Sequence, residues 1–194
     1  MLYAMKYYEQ TEYRNLLIDV LSNQHGALSM DIPDKCIKFC YAKKGAYTWS
    51  NVKPAFEKRY QLTKTDLFVD AMNTEIKNKK ADYVRVHDSG DYYSPTYLQK
   101  WITIALKNPA VRFYSYTNSI QFIKDLETIP ANFDFIFSDS GKQVDLIDKS
   151  TDRYTKIFKS LEQLQQAKYT DASNFDLYAT KWHSNTKKVG LIIH

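Results

Sequence analysis

The chain has 194 residues, of which 44% are apolar and 25% are charged, and these values are ordinary for one globular domain. Its 5 Gly and 5 Pro leave little room for flexible linkers, and no apolar run approaches the roughly 18 residues of a membrane span. The opening sequence MLYAMKYYEQ does not have the pattern of a signal peptide. We therefore expect a cytoplasmic protein with no membrane partner.

The net charge of +5 is distributed unevenly. Residues 35–80 hold 11 basic and 4 acidic side chains, with aromatic residues between them. This mixture of basic and aromatic side chains is typical of nucleic-acid or phosphate binding, and the alternative is a solvated helical face.

The first half of the chain is predicted to be mostly helical. Apolar residues at helical spacing predict a helix over 7–22, which ends at Gly26. Residues 27–48 read as irregular and carry both cysteines. Two further helices are predicted over 51–60 and 64–78, the second begun by Thr63 or Thr65. Its inward residues are predicted to be Leu67, Phe68, Ala71, Met72 and Ile76.

From residue 82 the pattern alternates between strands and helices. Strands are predicted over 83–87, 111–116, 133–138 and 189–193, and helices over 94–108, 120–127 and 154–167. Ser94 and Pro95 are typical of a helix start, and Asn108-Pro109 of a helix end. This order predicts one α/β domain over 1–194, with helices and a cysteine loop in 1–80 and parallel β/α units in 82–194.

Polar residues follow three successive predicted strands. His87-Asp88-Ser89-Gly90-Asp91 ends the first, Ser115-Tyr116-Thr117-Asn118-Ser119 the second, and Ser138-Asp139-Ser140-Gly141 the third. Because the carboxyl ends of parallel strands meet at one edge of a sheet, we expect these groups to form a ligand site there.

The aspartates of this set can hold a hydroxyl, an amino group or a divalent ion, and His87 can act as a base or a metal ligand. The alternative for His87 is a hydrogen-bonded strand histidine with no function. Each of the three turns can also be ordinary turn or cap chemistry. Their recurrence at the same end favours a site.

The two cysteines form a C-x3-C pair, Cys36 and Cys40, whose thiolates can converge on one metal. An iron–sulfur cluster usually takes three or four thiolates, and Lys43 stands where a third cysteine would fall. The alternative is two small, partly buried apolar side chains.

Several motifs together resemble the phage and plasmid family named for mycobacteriophage gene product eighty-eight. They are KCIKFCYAKKGAY, VRVHDSGDYYSPTYLQKWITIA, RFYSYTNS, YTDAS and KKVGLIIH, which run from about Leu28 to His194. This resemblance names no activity.

More distantly, the order resembles the radical S-adenosylmethionine (radical SAM) enzymes. That resemblance implies a partial TIM-barrel-like parallel sheet with flanking helices and a helical N-terminal region. It also implies Cys36 and Cys40 as ligands of an iron–sulfur cluster, with Ser89, Gly90 and Asp91 in the place of the turn that holds the amino group of S-adenosylmethionine. Thr117 and Asn118 resemble the Thr-Asn end of the following strand.

Three functions remain open from the sequence. The first is a degenerate radical-SAM-like barrel that binds a nucleotide-like ligand through Asp88, Asp91, Asn118 and their neighbours. The second is a non-catalytic phage or plasmid factor that binds nucleic acid or a host protein through the basic segment 35–80. The third is a metal-dependent hydrolase that uses His87, Asp88, Asp91 and Asp139.

Overall fold

The structure is a computed structural model that describes residues 15–17, 49–50, 52–87 and 90–193. It is an α/β fold in which a parallel sheet curls into a half-barrel and helices flank it. The strands are β1 (Asn15–Leu17), β2 (Tyr83–Arg85), β3 (Arg112–Thr117), β4 (Phe133–Ser138), β5 (Tyr154–Phe158), β6 (Thr170–Asp171) and β7 (Lys188–Ile192). The α-helices are α1 (Val52–Lys64), α2 (Leu67–Lys79), α3 (Pro95–Lys107), α4 (Ile120–Lys124) and α5 (Leu161–Gln166).

The described strands form one sheet in the order β1-β2-β3-β4-β5-β7-β6, and every neighbouring pair is parallel. The predicted fold class is thereby confirmed. Strands β1 to β5 are neighbours in chain order, whereas β7 enters between β5 and β6. Because all strands run the same way, the loops that follow β2, β3 and β4 leave the sheet at one edge, which we call the carboxyl edge.

The helices cover one face of the sheet. Phe113 of β3 is in register with Phe133 of β4, and both side chains are fully buried against the helices. Helix α3 contributes Trp101, which has no exposed surface, and α2 contributes Phe68, whose ring packs edge-on against Trp101 at 5.5 Å. Burial of these large apolar side chains is the main stabilising contribution on this face.

A second core lies on the opposite face of the sheet, beneath the segment 172–184. Asp176 of this segment accepts hydrogen bonds from the hydroxyls of Tyr114 and Tyr116, both at 2.7 Å, and from Arg85 Nη1 at 3.2 Å. Leu177 beside it is fully buried. One carboxylate therefore ties the segment to β2 and β3 at once.

Several predicted elements are confirmed with small changes of boundary. Helix α3 begins as predicted, because Ser94 Oγ accepts the Tyr97 N–H and Pro95 takes the first helical position. In α2 the predicted inward residues Phe68, Met72 and Ile76 are buried. Leu67 and Ala71 are exposed instead, and Asp66 takes the N-cap position that was predicted for Thr63 or Thr65.

Two predicted helices are wrong. Residues 15–17, inside the helix predicted over 7–22, form β1 and pair with β2, and the rest of that range lies outside the described residues. The helix predicted over 154–167 is β5 followed by the short helix α5. Ser160 separates them, since it accepts the Gln163 N–H as the N-cap of α5. The sequence Ser160-Leu-Glu-Gln163 is a capping box, a signal that favours a helix start at this point.

Asp176→Asn should lower the free energy of unfolding by about 3 kcal/mol, because it removes the charge that pairs with the largely buried Arg85 and a carboxylate oxygen that accepts a tyrosine hydroxyl. Urea unfolding followed by circular dichroism measures the change. Asp145→Asn is the matched control, since Asp145 is exposed and its loss should stay within about 0.5 kcal/mol. Equal effects of the two substitutions would show that Asp176 does not hold the segment.

Candidate functional site

The loop after β2 carries two residues with left-handed backbone angles. Gly90 has φ 105°, which its missing side chain permits without strain. His87 has φ 76°, a region that residues with a side chain rarely adopt. Such a backbone is retained only where the surroundings fix it, and here the His87 side chain is 4% exposed.

His87 lies among aromatic rings. Its ring centroid is 4.8 Å from that of Tyr92 and 5.7 Å from that of Tyr97, and Nε2 is 3.0 Å from the Tyr97 hydroxyl. Burial, assisted by the positive charge of Arg85, lowers the pKa of His87 to about 3. The imidazole is therefore neutral at physiological pH. Its Nδ1 is buried and has no hydrogen-bond partner among the described residues.

Asp91 joins the loop after β2 to the end of β3. Its carboxylate accepts hydrogen bonds from Thr117 Oγ1 at 2.5 Å, from the Asn118 N–H at 2.6 Å and from the Tyr92 N–H at 2.8 Å. Ser119 Oγ adds a second link by donating to the Tyr92 carbonyl at 2.9 Å. We call this set, Asp91 with Tyr92, Thr117, Asn118 and Ser119, the Asp91 clamp.

The ionisation of Asp91 reflects two opposing effects. Burial raises the pKa of its carboxyl above the ordinary value, and the hydrogen bonds from Thr117, Asn118 and Tyr92 oppose that shift without cancelling it. A carboxylate that accepts this many internal donors acts first as a structural anchor. The predicted role of Asp91 as a direct ligand contact stays a prediction.

Asn118 is the residue of the clamp whose side chain carries a buried acceptor. Its backbone N–H is held by Asp91, while its side-chain Oδ1 is buried and has no hydrogen-bond partner among the described residues. Gly141, in the turn after β4, lies so close that a Cβ added there would overlap Asn118 Oδ1. The ends of β2, β3 and β4 thus meet around one amide group.

Asp139 follows β4 but is not part of the clamp. Its backbone N–H donates to the Thr155 carbonyl at 2.8 Å, and its carboxylate lies 3.5 Å from Lys149 Nζ. The lysine side chain is 57% exposed, so this ion pair contributes little to stability.

Four predicted site residues, Asp88, Ser89, Cys36 and Cys40, lie outside the described residues. Across the part of the chain that the structure describes, no three His, Cys, Asp or Glu side chains are grouped as metal ligands. The chain holds two cysteines, one fewer than the usual minimum for an iron–sulfur cluster. Its own thiolates therefore do not fit such a cluster, and we derive no step through one.

Gly141 belongs to the Asp-Ser-Gly turn that the sequence predicts at this edge, and it lies against Asn118. One contribution, that of Tyr92, was missed in the sequence. Tyr92 encloses His87 and donates its N–H to Asp91. The Tyr92 carbonyl also accepts the Ser119 hydroxyl from the turn after β3. No spacing rule connects these two residues, so this contact could not be read from the sequence.

Together these features define a half-barrel α/β protein whose polar groups meet at the carboxyl edge of a parallel sheet. The sequence model of the family described as Gene product 88 matches residues 30–190, well over half of the chain, and the chain belongs to that family. The resemblance to the phage family is thus confirmed, whereas the distant similarity to radical SAM enzymes stays a prediction.

The chain is also similar to the Gene 88 protein of Mycobacterium phage L5, with 30% identity over 93 residues. That alignment covers 42% of this chain and 39% of the relative. No solved structure matches the chain. In the described residues, no helix has the length and apolar character needed to cross a lipid bilayer.

Asp91→Asn should lower the free energy of unfolding by about 3 kcal/mol, because an amide NH2 would then face N–H and O–H groups that now donate hydrogen bonds to the carboxylate. Asp139→Asn is the control, and we expect it to cost less than about 1 kcal/mol because its ion-pair partner, Lys149, is more than half exposed and 3.5 Å away. Urea unfolding of both variants measures the difference. A clamp that does not depend on Asp91 would give the same small loss in each.

The buried neutral His87 should make stability depend on pH. Its folded pKa of about 3 lies below the unfolded value of 6.5, so the unfolded chain binds the extra proton as pH falls below 6.5. Between pH 7 and pH 5 the wild type should lose about 2 kcal/mol more than His87→Asn, whose side chain tolerates the left-handed backbone. Urea unfolding at both pH values tests this, and parallel losses in the two proteins would contradict it.

Proposed function

We propose that the chain binds a small nucleotide-like ligand at the carboxyl edge, as a radical-SAM-like barrel with an incomplete cluster motif. The observation that carries this proposal is the buried Asn118 Oδ1, which has no partner among the described residues while its backbone is fixed by Asp91. A buried acceptor without a donor costs free energy, and a ligand that donates a hydrogen bond would remove that cost.

The geometry indicates what the ligand should offer. Asn118 Oδ1 accepts a hydrogen bond, so the ligand should present an amino group or a hydroxyl at this point. Gly90, with φ 105°, lies in the loop after β2. It has no side chain, so a ligand can approach the backbone closely there. An amino acid joined to a nucleoside has both kinds of donor, and S-adenosylmethionine is one such compound.

The Asp91 clamp supplies preorganisation. Binding is tighter when the groups that contact a ligand are already held in place, because less conformational entropy is lost. Here the ends of β2 and β3 are fixed by hydrogen bonds of 2.5 to 2.9 Å before any ligand arrives. In this role Asp91 and Thr117 are positioning residues, and Asn118 is the contact residue.

Calorimetric titration with S-adenosylhomocysteine tests the proposal, because this compound keeps the adenosine and the α-amino and carboxyl groups of S-adenosylmethionine but has no sulfonium group to cleave. Asn118→Leu keeps the approximate shape and removes the acceptor, so we expect at least a tenfold loss of affinity, since one hydrogen bond contributes about 1.5 kcal/mol. Asn174→Leu, at an exposed loop position, is the matched control and should keep the wild-type affinity.

Two results would count against the proposal. One is the absence of any heat of binding with wild-type protein at millimolar ligand. The other is an affinity that is the same in Asn118→Leu and in the wild type.

A further inference from the structure

A second concave site lies at the amino edge of the sheet, opposite the carboxyl edge. A cavity of about 520 Å³ opens between the C-terminal ends of α2 and α3, and three of its lining residues are Lys77, Lys80 and Lys107. We call it the lysine groove. We propose that the lysine groove binds the phosphate group of a small phosphorylated molecule, which is a separate function from ligand binding at the carboxyl edge.

The charge of the groove favours an anion. Its described lining contains three ammonium groups and no carboxylate. A carboxylate close to the groove is that of Asp70, 3.5 Å from Lys107 Nζ. Both of these side chains are more than half exposed, at 53% and 79%, so their attraction is weak.

The lysines are not needed to cap the two helices. At the end of α2 the Lys80 backbone N–H donates to the carbonyls of Ile76 and Lys77. At the end of α3 the side-chain amide of Asn132 donates to two carbonyls, each at 3.0 Å. Lysine side chains often donate to the last carbonyls of a helix, but here those carbonyls already have other donors.

The helix dipoles do not cancel the positive charge. Each C-terminus carries a partial charge of about −0.5, so the two ends together give roughly −1 against three lysines. The surplus positive charge faces a concavity, where it acts more strongly on an anion than it would on a flat surface.

The size and lining of the groove indicate a small molecule. A volume of about 520 Å³ falls within the range of about 300–1,000 Å³ that is common for small-molecule sites. Ile76 and Val111 provide apolar surface beside the lysines. Asn108 Nδ2 donates to Asn73 Oδ1 at 2.6 Å, which fixes two amide groups at the side of the cavity.

Titration of the full chain with inorganic pyrophosphate tests the proposal, because pyrophosphate carries the phosphate chemistry without a nucleoside. We expect measurable binding that weakens with added salt and falls at least tenfold in the double variant Lys77→Gln, Lys80→Gln. Lys159 is exposed and does not line the groove, so the pyrophosphate affinity of Lys159→Gln should stay within twofold of the wild type. Asn118→Leu should also keep pyrophosphate binding, which separates this proposal from the one for the carboxyl edge.

A single-stranded DNA of ten nucleotides serves as the second probe. Weaker binding of the DNA than of pyrophosphate supports a small-molecule site. The proposal is overturned if wild-type protein binds no pyrophosphate at millimolar concentration, if the double variant binds as the wild type does, or if only the DNA binds and does so through these lysines.

Discussion

The hydrogen bonds of the Asp91 carboxylate organise the carboxyl edge. Parallel strands bring their following loops to one edge, but the ladder hydrogen bonds of the sheet end where the strands end. Asp91 continues the connection beyond that point, since it holds the backbone of Asn118 and the hydroxyl of Thr117. The position of the Asn118 amide, and with it the candidate ligand site, depends on this one side chain.

The half-barrel has three regions that carry different polar and charged groups. The segment 172–184 fills part of the face away from the helices, where Asp176 binds side chains of β2 and β3. The carboxyl edge holds the Asn118 amide, whose Oδ1 has no hydrogen-bond partner within the described part of the chain, and the amino edge holds three lysines around a cavity.

Much of the fold could be predicted from local patterns. The Ser94-Pro95 start of α3 and the apolar run of β4 identify their elements, because capping and strand burial are determined by nearby residues. The prediction over 154–167 was wrong because Tyr154, Ile157 and Phe158 fit a helical stripe as well as a strand, and pairing with β7 decided between the two. Helical spacing of apolar residues misled in the same way around β1.

The site could be predicted only in outline. Parallel order predicts that the residues after β2, β3 and β4 share an edge, and the structure brings Asp91, Thr117, Asn118 and Gly141 together there. The parallel order does not predict that the Asp91 carboxylate accepts hydrogen bonds from Thr117, Asn118 and Tyr92. Nor does the sequence reveal the left-handed backbone of His87 or its burial among the rings of Tyr92 and Tyr97.

The most direct test of the ligand site is a map of amide chemical shifts during titration of isotope-labelled protein with S-adenosylhomocysteine. If the ligand binds at the carboxyl edge, the largest shifts will fall in 90–92, 117–119 and 139–141, with little change around the lysine groove. Shifts confined to other parts of the chain, or none at saturating ligand, would contradict it.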